Sequence, residues 1–460
     1  MISRLLIANR GEIAVRIARA AREMGIVPLG VYSDADAGAV HCRMMDASAR
    51  IGPPPANESY LNVGAIIDAA RAMQADGVHP GYGFLAENAE LARAVAEVGM
   101  TFVGPPAEAI AAMGSKIEAK RLVRAHGVAT VPGYDGDDQS DDALRAAAQA
   151  IGAPVLIKAS AGGGGRGMRI VDDLNAFDEA LAAARREASA AFGDDRVLLE
   201  KYLRAPRHIE VQVVGDAHGT IVHFGERECS IQRRHQKVVE EAPSSAVDPA
   251  LRARFGEAAI AAARAVGYVN AGTVEFMLDG DGAFYFLEMN TRIQVEHPVT
   301  EWTYGVDLVR LQIAIASGTA LSHRAPDPHG WAIEARLYAE DPSTFLPSSG
   351  TITAWRMPAG PGVRVDAGVE TGSEVGVWYD SMLAKIVVWD ATREKAVARL
   401  RRALDETEVG GVRTNLPLLR RIVRDEAFIA GATTTAFLDE RLASGAGAPV
   451  SDDAVVRAAA

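Results

Sequence analysis

Along the run EMNTRIQVE, the polar residues Glu288, Asn290, Arg292, Gln294 and Glu296 alternate with Met289, Thr291, Ile293 and Val295. In an extended chain, side chains two apart share one face. The alternation therefore predicts a row of carboxylates, amides and a guanidinium on one edge, groups suited to a metal, a proton and an anion. A solvated edge strand carries the same pattern, so the row alone does not define a site. The preceding segment, TVEFMLDGDGAFYFLEMN, reads as two apolar strands joined by a Gly/Asp turn, the signature of a hairpin. With 278 and 283 flanking the turn, Glu275 is expected opposite Phe286 and diagonal to Glu288. Diagonal neighbours lie about 7–8 Å apart at the backbone. Two carboxylates beside Phe276, Met277, Phe284 and Phe286 repel each other unless a proton or cation sits between them. Oxygen-only ligands favour magnesium or manganese over zinc. The hairpin thus predicts a metal–nucleotide site, with an exposed carboxylate pair as the alternative.

Three other segments carry chemistry. APVLIKASAGGGGRGMRIV is an apolar strand, four glycines at 162–165, Arg166, Gly167 and a second apolar strand. Such a loop can bring backbone N–H groups against phosphate oxygens with no Cβ in the way, and Lys158 stands at its edge. No GK[ST] follows, so it is not a P-loop. Its two readings are a mobile lid over phosphates and a plain linker. RVLLEKYLRAPRHIEVQVVGD places Glu200, Lys201 and Leu203 at the end of one strand, and His208 begins another. That edge can read an adenine, with Glu200 accepting from a ribose. ERECSIQRRHQKVVEEAPS crowds Gln232, His235 and Lys237 beside Arg233 and Arg234. These cations form an anion site if they converge and a solvated basic loop if they do not. At the start, LLIANRGEIAVRIARAAREMG reads as strand, turn and amphipathic helix without a GxGxxG dinucleotide fingerprint.

Size and charge fit an enzyme. A chain of 460 residues exceeds one ordinary core and suggests about three domains. A net charge of −12 argues against a general nucleic-acid or membrane-surface role. Two cysteines, Cys42 and Cys229, suit a reducing compartment. No apolar run reaches the roughly 18 residues of a membrane span, and MISRLLIAN lacks a secretory core. A cytoplasmic protein is expected. Only seven of 48 basic residues are lysine (116, 120, 158, 201, 237, 385 and 395), and four of them fall in segments that read as anion sites.

HPGYGFLAEN at 79–88, the glycine loop at 162–167, SIQRRHQKVVEEAP at 230–243 and EMNTRIQVEHPVTE at 288–301 resemble the biotin carboxylase family. These are ATP-grasp enzymes that carboxylate biotin in acyl-CoA carboxylases and pyruvate carboxylase. The resemblance runs in order from the first strand to about residue 445. It implies a multidomain α/β and α+β fold: a Rossmann-like domain over 1–113, an ATP-grasp domain over 114–325 with its lid at about 131–203, a mixed α/β C-terminal domain over 331–445, and a mobile tail at 446–460.

It further implies that Lys116, Lys158, Gly163, Gly164, Gly165, Glu200, Lys201, Leu203, His208, Gln232 and His235 hold ATP, together with Glu275 and Glu288. Glu275, Glu288 and Asn290 would hold two magnesium or manganese ions. Lys237, Arg292, Gln294 and Val295 would position bicarbonate, with Glu296 as its general base. Arg336, in AIEARLYAED, would stabilise the biotin enolate, and Tyr82 would border the biotin ring. Met277 stands where a leucine is usual near the adenine. No MKM-type biotinylation motif occurs, so biotin is expected on a separate carrier protein or domain, with carboxyltransfer on another subunit. The resemblance suggests a homodimer and a subunit of acetyl- or acyl-CoA carboxylase acting in fatty acid biosynthesis. The alternatives are a propionyl-CoA, methylcrotonyl-CoA or pyruvate carboxylase, another ATP-grasp ligase, and a non-catalytic nucleotide-binding scaffold.

Overall fold

The computed structural model describes residues 1–159, 168–233, 236–342 and 344–442. Gly163, Gly164, Gly165, His235, Arg234 and the expected tail at 446–460 lie outside the described residues. The chain opens with the predicted strand, turn and helix: β1 (Arg4–Ile7) is followed by a helix over Gly11–Glu23. That helix buries Ile13, Ala14, Ile17, Ala18 and Ala21 against the inner side of β1, as the 3.6-residue spacing of these positions dictates. With β2 (Val27–Ser33), β3 (Ala47–Gly52), β4 (Gly77–His79) and β5 (Thr101–Phe102) it forms a parallel sheet in the order β3-β2-β1-β4-β5. Helices on both faces explain why the central strands β1, β2 and β4 are almost wholly buried, whereas the edge strand β3 keeps exposed positions such as Arg50.

A small sheet in the order β6-β9-β7-β8 is built from β6 (Gly133–Tyr134), β7 (Val155–Ala159), β8 (Met168–Val171) and β9 (Val197–Lys201). The glycine run lies between β7 and β8. The remaining long strands are β10 (Arg207–Gly215), β11 (Ile221–Arg233), β12 (Gln236–Ala242), β13 (Asn270–Leu278), β14 (Phe284–Asn290) and β15 (Trp331–Tyr338). Short pieces β16 (Gly350–Thr351), β17 (Ala354–Arg356), β19 (Glu374–Val375) and β21 (Glu408–Gly410) flank β18 (Val363–Ala367) and β20 (Met382–Asp390). Among the described residues, eight of these strands join in the order β14-β13-β10-β11-β12-β15-β20-β18. One sheet therefore combines strands from before and after the segment between 325 and 331, joined where β12 pairs with β15.

Alternation along these strands sorts apolar from polar. In β10, Ile209, Val211 and Val213 pack under the helix Pro249–Arg264, beside Phe255 and Ala259. The intervening His208, Glu210 and Gln212 look the other way. In β15, Ile333, Ala335 and Leu337 pack against Val397, Leu400 and Leu404 of the helix Arg393–Glu406, which leaves Glu334 and Arg336 on the opposite face.

The hairpin β13–β14 forms, but its register differs from the expected one. Leu278 pairs with Phe284, and Phe276 with Phe286. A register shift then makes Leu287 the extra residue, so Glu275 faces Glu288 directly and not Phe286. A two-against-one bulge of this kind redirects a side chain that simple counting from the turn misplaces. The expected polar row is also cut short, because β14 ends at Asn290 and a helix begins at His297. Arg292, Gln294 and Glu296 sit on an irregular connection whose buried residues include Ile293.

Candidate active site

Four strands place one charged residue each on a single rung. Arg227 of β11 pairs with Glu210 of β10, Glu210 with Glu275 of β13, and Glu275 with Glu288 of β14. Lys237 lies over the middle of this rung. Its Nζ donates to Glu210 Oε2 at 2.5 Å, Glu275 Oε1 at 2.9 Å and Glu296 Oε1 at 2.7 Å. A register shift at Val238 resets the alternation in β12, so Val238 and Val239 both enter the core. Lys237 and Glu240 then reach the same neighbourhood. Arg336 donates to Glu240 Oε1 at 2.5 Å and to Glu296 Oε2 at 3.0 Å. Glu296 is thereby gripped by a cation on each oxygen.

The rest of the connection closes around Glu275. Asn290 and Gln294 each donate an amide N–H to Glu275 Oε1, at 2.9 and 2.8 Å. His208 Nε2 lies 3.0 Å from Glu275 Oε2. Arg292 is turned towards Glu87, at 3.0 Å, and Asn290 Oδ1, at 2.9 Å. Arg227, completely buried at one end of the rung, donates to Glu210, Gln212, Thr273, Gln294 and Thr300.

Burial and charge set the ionisation. Burial alone would raise the pKa of Glu275, but Lys237 and His208 outweigh it and hold it well below the usual carboxylate range. Glu296 is also buried, and Lys237, Arg336 and Arg227 drive its pKa far down. Lys237 is raised well above its ordinary value, since the carboxylates of Glu210, Glu275 and Glu296 overcome its desolvation. Glu288 moves upward, through burial and repulsion by Glu275 that Lys116, 3.9 Å away, only partly offsets. Glu240 is pushed up to about 7 by burial against the pull of Arg336.

His208, Lys237, Glu275, Glu288, Asn290, Arg292, Gln294, Glu296 and Arg336 open onto a cleft of about 1490 Å³, whereas Glu210, Arg227 and Glu240 lie buried behind its wall. Every described residue singled out from the sequence as a site residue lines it, including Tyr82, Lys116, Lys158, Lys201, Leu203, Gln232, Val295 and Met277. Each Glu200 oxygen accepts from one lysine, Lys120 on one and Lys158 on the other, which leaves a lone pair on each for a further donor such as a ribose hydroxyl. One expectation needs correction. The described cations around residue 235 do not converge. Lys237 points to the rung, whereas Arg233 binds Glu340 at 3.1 Å and stacks 4.2 Å from the centre of the Phe345 ring.

Glu210, Arg227, Glu240 and Lys120 were not anticipated from the sequence. The signal for Glu210 was there: HIEVQVV alternates His208, Glu210 and Gln212 with valine and isoleucine, as EMNTRIQVE does. Glu210 also belongs to two buried acidic groupings whose ligand atoms lie within 4.8 Å of one another, with His208 and Glu275, and with Cys229 and Glu296. Among the described residues, no helix is long and apolar enough to cross a membrane.

Known proteins match this chain over nearly its whole length. Family models match residues 1–110 (biotin carboxylase, N-terminal domain), 115–324 (carbamoyl-phosphate synthase L chain, ATP binding domain) and 334–440 (biotin carboxylase C-terminal domain). The propionyl-CoA carboxylase alpha chain of Ruegeria pomeroyi is 50% identical over 97% of this chain and 69% of its own. The mitochondrial methylcrotonoyl-CoA carboxylase subunit alpha of Dictyostelium discoideum is 49% identical over 100% of this chain and 66% of its own. The chain thus spans about two thirds of the length of these relatives. The biotin carboxylase domain dimer of Hydrogenobacter thermophilus 2-oxoglutarate carboxylase, in complex with MgADP, ADP and bicarbonate, superposes with a TM-score of 0.88 at 46% identity, covering 96% of this chain and 98% of that one. The middle match alone would also admit a carbamoyl-phosphate-forming ligase, but the flanking matches do not. The chain belongs to the biotin carboxylase family of ATP-grasp ligases.

Proposed function

We propose that this chain uses ATP and bicarbonate to carboxylate biotin carried on a separate protein or domain, the first half-reaction of an acyl-CoA or pyruvate-type carboxylase. The observation that carries the reading is Glu296, held between Lys237 and Arg336 beside a carboxylate rung suited to a metal–nucleotide. Bicarbonate is a weak nucleophile, and attack on the γ-phosphate of ATP turns it into carboxyphosphate with release of ADP. Such transfers need positioning and charge neutralisation more than covalent help.

The donor set fits divalent magnesium or manganese. Glu275, Glu288 and Asn290 offer oxygen ligands, and the mutual repulsion of Glu275 and Glu288 is the kind a dication relieves. Bound there, the metals would neutralise charge on the phosphates. Lys116, Lys158, Lys201, His208 and Gln232 line the side of the cleft suited to ATP phosphates and sugar, while Leu203 and Met277 offer an apolar wall for the adenine. Lys237, Arg292, Gln294 and Val295 would take bicarbonate, beside the N-terminus of the helix His297–Tyr304, where an anion is favoured.

Glu296 would be the base. With both oxygens tied to cations it binds protons weakly. When Lys237 and Arg336 turn to substrate anions, Glu296 regains basicity at the step that removes the bicarbonate proton. Carboxyphosphate then splits to carbon dioxide and phosphate, and the released phosphate takes the proton from biotin N1. Arg336 supplies a fixed positive charge where the biotin enolate develops, with Tyr82 bordering the ring.

The curated relatives favour a propionyl-CoA or methylcrotonoyl-CoA carboxylase context over the acetyl-CoA one expected from sequence, with a carboxyltransferase partner. The dimeric neighbour supports a homodimer. The test is ADP release by the purified protein with magnesium and bicarbonate, with and without free biotin. Biotin-stimulated, bicarbonate-dependent release is expected. Its absence from folded protein would overturn the reading.

A further inference from the structure

Lys385 has no exposure to solvent. It lies in β20, paired with Arg336 of β15 on one side and Asp366 of β18 on the other. Its Nζ donates to the Val295 carbonyl at 2.9 Å and lies 3.1 Å from Glu12 Oε1 and 3.8 Å from Asp366 Oδ2. A buried ion pair is weak evidence for stability, since well-packed apolar residues often serve as well. What Lys385 holds is therefore more telling than that it is paired.

Two peptide planes precede Glu296. The first is pinned by His297, whose Nδ1 meets the Gln294 carbonyl at 2.8 Å. Burial and nearby cations keep this imidazole neutral, so Nδ1 is the donor. The second is pinned by Lys385 through the Val295 carbonyl. Both clamps are buried and approach from behind the cleft. Lys385 has a second arm: Glu12 accepts from the Tyr82 hydroxyl, and its other oxygen has no hydrogen-bond partner among the described residues. One ammonium group thus joins the segment ending in Glu296 to the wall formed by Tyr82, residues that the sequence separates by more than 200 positions.

We propose that Lys385 is a positioning residue that ties the bicarbonate segment at Val295 to the biotin wall at Tyr82 through Glu12. The proposal rests on the carboxylase reading above, which assigns those two surfaces to different substrates. It does not involve the nucleotide half of the cleft. Removing the amine frees the Val295–Glu296 peptide and leaves Glu12 without its cation. Displacement of a reacting group by about 1 Å can cost on the order of a hundredfold in rate.

The test is steady-state kinetics on Lys385→Met and Glu12→Met, with wild-type protein as control. Lys385→Met is expected to raise KM for bicarbonate and for free biotin by about tenfold or more, a partial share of that limit, with KM for ATP nearly unchanged. Glu12→Met, which spares the Val295 contact, is expected to raise KM for biotin alone. If Lys385→Met does not fold, the double variant Lys385→Met/Glu12→Met removes both buried charges and is held to the same pattern as Lys385→Met. Equal changes in all three KM values, or none, in folded variants overturn the positioning role while leaving the carboxylase reading intact. A wild-type protein without biotin-stimulated ADP release overturns both.

Discussion

Replacing Lys237 by methionine removes one ammonium group from three carboxylates at once. Glu210 keeps Arg227 at 2.5 Å, Glu296 keeps Arg336 at 3.0 Å, and Glu275 keeps His208 at 3.0 Å with two amide donors. Hydrogen bonds to charged groups are worth about 1.5–3 kcal/mol each, but the retained partners make the three losses less than additive. Breaking a buried pair by removing one member costs about 3–5 kcal/mol, and that is the expected destabilisation at pH 7. The pH dependence has a definite sign. Glu275 and Glu296 both have folded-state pKa values below the ordinary carboxylate value, which is about 4.3 for an unfolded glutamate. The stability they contribute is complete above that pH and is lost as pH falls towards their lower folded values. In the variant, the carboxylates are no longer held down by Lys237 and can protonate sooner. The difference between wild type and Lys237→Met should therefore be largest near neutrality and narrow from about pH 4.3 downward. Urea unfolding of both proteins at pH 7 and in steps below pH 5 measures it. A difference under about 1 kcal/mol at pH 7, or one that widens on acidification, would refute the claim that Lys237 neutralises this rung.

Two further outcomes are expected. Glu296→Gln should abolish biotin carboxylation while leaving nucleotide affinity, measured by calorimetric titration, nearly intact, because Glu296 contacts Lys237 and Arg336 and none of Lys116, Lys158 or Glu288; a collapse of ATP binding would show it to be structural or a metal ligand. Glu288→Gln should weaken magnesium dependence of ADP release by at least about tenfold, yet leave the ligand-free protein equally or more stable at pH 7, since the pKa of Glu288 is raised in the fold and its charge is there a liability; a clear fall in thermal stability contradicts this.

Much of the site was legible because strand alternation is a local property. Glu275 and Glu288 stood out as acids in apolar surroundings, and Lys237 stood out by lysine scarcity. The same alternation in HIEVQVV carries a signal for Glu210, a residue that was not anticipated from the sequence. Arg227 was hidden because its segment, GERECS, carries charges with nothing that distinguishes a buried arginine from a solvated one. The direct pairing of Glu275 with Glu288 was hidden because the turn residues do not announce a bulge at Leu287. The glycine loop and His235 lie outside the described residues, and their part in the cleft rests on resemblance.

The sequence by itself determined which side chains are available, which strand faces are apolar, and through four ordered motifs the family. These follow from residue type and near-neighbour spacing, which the linear chain carries. Only the tertiary structure decided that Arg227, Glu210, Glu275 and Glu288 share one rung, that Lys237 and Arg336 grip opposite oxygens of Glu296, and that Lys385 reaches from Val295 to Glu12. Each of these depends on register between strands far apart in sequence. Two single-residue bulges reset that register, and nothing in their local sequence compels them.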